Sequence, residues 1–62
     1  MAEEREIIFE FLHAGGAVKV TAVDVESGTE VSIVGDPAAP EAMLKRVAKQ
    51  KLDWVMAKQA KD

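Results

Sequence analysis

The chain has 62 residues, a net charge of −3, no cysteine and a single histidine, His13. This excludes disulfides and thiolate metal sites, argues against a His-based metal site by leaving it no second histidine, and limits the chain to one small domain. The start, MAEEREII, is acidic where a secretion signal is basic, and no apolar run approaches the roughly 20 residues of a membrane span, so the expected location is cytoplasmic.

Residues 1–5 read as a frayed, solvated end. Between Glu6 and Leu12, the residues Ile7, Ile8, Phe11 and Leu12 would fit a helical face, whereas Ile7, Phe9 and Phe11 fit strand alternation. Two isoleucines and two phenylalanines in so short a run, followed by the turn pair Gly15-Gly16, favour the strand. A second strand is expected from Ala17 to Asp24, with Val18, Val20 and Ala22 on one face and Lys19, Thr21 and Val23 on the other. Asp24-Val-Glu-Ser-Gly28 reads as a turn, because aspartate bonds forward to backbone N–H groups and glycine accepts positive φ. A third strand, Thr29 to Val34, alternates Val31 and Ile33 against Glu30, Ser32 and Val34. A bulge in the turn would shift its register by one residue and exchange its faces, and sequence leaves that open.

Asp36-Pro37 closes the sheet and opens a linker over 36–39. Pro40 suits the first position of a helix and Glu41 its first turn, although Ala39 is a poor cap. The helix is expected over 40–58, with Met43, Leu44, Val47, Ala48, Leu52, Trp54 and Val55 sharing one wide apolar face. Lys45, Arg46, Lys49, Gln50 and Asp53 take the opposite face, and Glu41–Lys45 and Lys49–Asp53 are spaced for i,i+4 pairing. Lys51 falls inside the apolar face. It either snorkels to a sheet edge or a strand carboxylate, or it contacts a ligand. The expected fold class is α+β: one domain over 1–62, a three-stranded antiparallel sheet (β-β-β) followed by one C-terminal amphipathic helix packed on one face.

No catalytic constellation emerges. Gly15-Gly16 precedes a strand, not a helix, and no GK[ST] follows, so it is a turn and not a phosphate loop. Asp24, Glu26, Gly28 and Glu30 loosely resemble a calcium loop, but the glycine is misplaced and position twelve would be Gly35. His13 beside Glu10 is read as an exposed strand end and not as an acid–base pair, and Ser27 and Ser32 have no second histidine to form a triad. The expectation is therefore no enzyme, no cofactor and no metal.

A 62-residue chain buries only about 60% of its unfolded surface and gains about 3–5 kcal/mol from a single core. With disulfides and metals removed as supplements, a second copy of the chain remains. One helix shelters one sheet face, so Ile8, Leu12, Val23 and Val34 are expected to form an apolar patch on the other, with Trp54 as core-edge filler or interface anchor. The first functional reading is a homo-oligomeric structural or protein-interaction module using that face or a sheet edge. The alternative is nucleic-acid binding through Lys45, Arg46 and Lys49. Against it, residues 1–36 hold eight acids and two bases, and residues 37–62 hold six bases and three acids, so the sheet half is acidic at −6 and only the helix half is basic at +3.

The segments REIIFEF, VKVTAVDVESGTEVSIVGDP and LKRVAKQKLDWV, which span most of residues 5–55, resemble a set of short bacterial proteins carrying a domain of unknown function. The resemblance implies a sheet followed by a helix and brings no activity, ligand or partner with it.

Overall fold

The computed structural model describes residues 6–60; the fraying expected for residues 1–5 lies outside them. Three antiparallel strands, β1 (Ile7–Ala14), β2 (Ala17–Asp24) and β3 (Glu30–Gly35), form a meander in the order β1-β2-β3, and one helix, α1 (Glu41–Ala60), follows. The α+β architecture read from the sequence is the one observed.

Both hairpins follow from their glycines. Ala14 pairs with Ala17 across Gly15-Gly16, and only Gly15 has positive φ, +61°, the sign pattern of a type II′ turn. The β2–β3 loop is five residues, Val25 to Thr29, closed by Asp24 N–H donating to the Thr29 carbonyl and Gly28 N–H donating to the Asp24 carbonyl, each at 2.8 Å. Gly28 at φ +78° completes the loop where an L-residue would be strained. The bulge question is thereby answered: Val20 faces Ile33 and Ala22 faces Val31, so the apolar alternation of β2 and β3 stays in phase.

The phase decides the core. Val18, Val20, Ala22 and Val31 are buried against Leu44, Ala48 and Leu52 of α1, with Ile7, Phe9, Phe11, Ile33, Val55 and Met56 packed around them. Leu44, Ala48 and Leu52 recur every four residues, and the stripe they form crosses β2 and β3. The Pro40 carbonyl accepts the first helical bond, from Leu44 N–H at 3.2 Å, so the helix begins at Glu41 and runs two residues past the expected end at Lys58. Asp36 supplies the turn before it, its carboxylate accepting Ala38 N–H at 2.9 Å.

Asp24 is where the sequence reading falls short. Expected only to start a turn, it is 1% exposed and lies on the helix-facing side of β2, in phase with Ala22 and Val20. Its Oδ2 accepts both the Ser27 hydroxyl at 2.7 Å and the Ser27 N–H at 3.1 Å, so the loop folds back onto this buried carboxylate. Ser27 passes the network on to Thr29, and the Thr29 hydroxyl meets Gln59 at 3.2 Å, tying the loop to the end of α1.

Candidate functional site

Two surfaces stand out: the sheet face away from α1, and one flank of α1 itself. On the open face the register sets three cross-strand rows. Ile8, Val23 and Glu30 make the first, Glu10, Thr21 and Ser32 the second, and Leu12, Lys19 and Val34 the third. Leu12 and Val34 are 62% and 74% exposed, Ile8 is exposed and Val23 half-buried, so all four expected interface residues do lie on this face. They do not merge into one patch. The middle row is polar, with Thr21 and Ser32 hydroxyls 3.0 Å apart, and it separates Ile8 and Val23 from Leu12 and Val34 by about 13 Å along the strands. Lys19 further divides Leu12 from Val34. The expected continuous patch is corrected to two small apolar ends around a polar centre.

The helix departs from expectation in the opposite direction. Met43, Val47 and Trp54, assigned from sequence to the core-facing side, are 46%, 42% and 62% exposed. At about 100° per residue they cluster within about 40° of one another, roughly 120° from Ala48 at the centre of the buried stripe. Lys51 lies between that cluster and the core. Its ammonium donates to the Ser32 carbonyl of β3 at 2.9 Å, the snorkelled contact with a sheet edge. On the other side of the helix Lys45 reaches toward β1, with its ammonium 5.7 Å from the Phe9 ring centroid. These two contacts fix the sides. The Met43, Val47 and Trp54 stripe overhangs the β3 edge, which has no strand neighbour among the described residues.

The basic residues named as possible anion contacts are partly engaged within the chain. Lys49 pairs with Asp53 at 2.9 Å, Lys45 lies over Phe9, and Lys58 lies over Trp54 with 4.8 Å between ammonium and ring centroid. Arg46 is exposed. Among the described residues no three His, Cys, Asp or Glu side chains gather in a way that could hold a metal ion, and no pocket is formed. Among the same described residues no helix is long and apolar enough to cross a membrane.

The family model for "Domain of unknown function (DUF6898)" matches residues 4–59, which covers all three strands and nearly all of the helix. No curated protein and no solved structure shows significant similarity to the chain.

Proposed function

The chain belongs to the DUF6898 family, and we propose that it is a non-catalytic module that works by associating with copies of itself. The observation that carries this reading is the surplus of apolar surface. Seven large hydrophobic side chains are exposed among the described residues, and three of them, Met43, Val47 and Trp54, line one helix flank beside the outer edge of β3, which pairs with no second strand among those residues. Scattered exposed hydrophobes are ordinary, whereas a tryptophan in an apolar row next to an open edge is the make-up of a protein contact. Acid–base, nucleophilic and metal chemistry lack a supporting constellation, which is why the reading is non-catalytic.

Nucleic-acid binding has weaker support. A contact surface for phosphates needs free cations on one face, and here two of the three named bases already have partners within the chain. The test is light scattering coupled to size exclusion over a dilution series. A mass above that of the 6.7 kDa chain, falling on dilution, supports self-association; a constant monomer mass up to about millimolar concentration, which would leave any affinity weaker than about −4 kcal/mol, contradicts it.

A further inference from the structure

Resting on the self-association reading, the geometry points to one specific seam: a twofold dimer in which β3 pairs antiparallel with β3 of a second copy while the two α1 helices pack side by side. The outer edge of β3 carries the pairing groups such a seam needs. Asp24 N–H donates to the Thr29 carbonyl and Asp24 lies one step beyond the Val23–Glu30 pair, so the alternation of an antiparallel ladder leaves Glu30, Ser32 and Val34 with N–H and C=O groups directed away from β2. The Lys51 bond to the Ser32 carbonyl meets one of those outward groups. Ser32 is the middle of the three, which makes it the natural position for a twofold axis. About that axis Glu30 faces Val34 of the second copy, and Val31 faces Ile33 on the helix-covered side, so no like charges meet across the new ladder and the apolar layer continues through it.

The helix half is independent and arrives at the same axis. A helix seated over the β2–β3 seam lies about half a strand spacing inside β3, so two edge-paired copies bring the helix axes to about 10 Å, within the 8–10 Å at which helices pack. A twofold axis perpendicular to the sheet makes them antiparallel. Val47 and Trp54 are equally spaced about the midpoint between Gln50 and Lys51, and Lys51 is bonded to Ser32. The helix midpoint and the strand midpoint therefore coincide, and Val47 of one copy meets Trp54 of the other. The six residues of β3 give an edge about 20 Å long, and the layer of sheet plus helix is about 20 Å high. That footprint is about 400 Å² per copy and about 800 Å² in total, below the range of stable specific interfaces and the size of a weak, concentration-dependent contact. Lys51 tempers it. The Ser32 carbonyl has a second lone pair for the pairing N–H, yet two ammonium groups then face each other near the axis.

The test measures self-association of the intact chain by sedimentation, with amide exchange followed residue by residue. The expected result is concentration-dependent protection of the Glu30, Ser32 and Val34 amides, and weakening of about tenfold or more in Trp54→Lys and in Val47→Lys, whose exposed positions leave the fold intact by circular dichroism. Leu12→Lys, on the open face but on β1 and outside the seam, tests the competing surface and is expected to change association less than the two helix variants do. Lys51→Met is expected to tighten association several-fold, as is added salt. Association that persists through both helix variants, or that Leu12→Lys abolishes, overturns this seam while leaving the self-association reading standing. Weakening by salt, the signature of the acidic sheet meeting the basic helix, overturns it in the same way, and a monomer at every concentration overturns both.

Discussion

Leu52 is the largest fully buried side chain, 0% exposed, at the end of the four-residue stripe by which α1 holds the sheet. Replacing it with alanine removes three carbons from a site where a sheet on one side and a helix backbone on the other limit collapse. Substitutions of this kind cost about 2.7–5 kcal/mol, the upper part of the range applying where the cavity persists. A domain this small has about 3–5 kcal/mol to lose, so the variant should stand near its folding midpoint at 25 °C. At about 4–8 °C per kcal/mol, a loss of about 3 kcal/mol lowers the melting temperature by at least about 12 °C. Thermal and urea melts followed by circular dichroism at one fixed protein concentration measure this, with Met43→Ala, at a half-exposed position on the same helix, as the control expected to lose less than about 1 kcal/mol. A drop below about 5 °C for Leu52→Ala, or equal losses for the two variants, would refute the placement of the core under the Leu44, Ala48 and Leu52 stripe.

The remaining predictions concern backbone and loop. Gly28→Ala is expected to cost about 1–2 kcal/mol because φ is +78° there, while Gly16→Ala, with open space around the new methyl and no positive φ, should be neutral or stabilising by about 0.4–1 kcal/mol; paired urea melts compare them. Gly35→Ala would place a methyl 2.6 Å from Leu44 Cδ2, and moving that buried leucine should cost about 1–3 kcal/mol by the same melts. Asp24→Ala deprives the Ser27 N–H and hydroxyl of their acceptor and should lose about 1–3 kcal/mol, with faster amide exchange at Ser27 than in the wild-type chain.

The three strands and their turns were legible because each carried a local signal: alternating β-branched residues, Gly15-Gly16 at one turn and Gly28 at the other. The pairing of Val20 with Ile33 and Ala22 with Val31 was readable only as one of two registers, because a bulge after Asp24 would have exchanged the faces of β3 and left open which side the helix covers. Two features were not legible. The burial of Asp24 depends on Ser27 folding back to it, a tertiary arrangement that the turn-forming composition of residues 24–28 does not announce. The split of the open face depends on register as well as alternation, because only register puts Glu10, Thr21 and Ser32 in one row. The helix flank is a different matter. Met43 and Trp54 sit about 140° and 120° from Ala48 on a helical wheel, too far round for one side, so a narrower reading of the wheel would have separated them from the core stripe.

The account stands on apolar surface that one chain leaves uncovered. Sedimentation equilibrium of the wild-type chain and Trp54→Lys, run side by side over the same concentrations, addresses that claim most directly. The expected result is a wild-type mass rising with concentration toward two chains of 6.7 kDa while the variant remains nearer to one. Two superimposable monomer curves would contradict it.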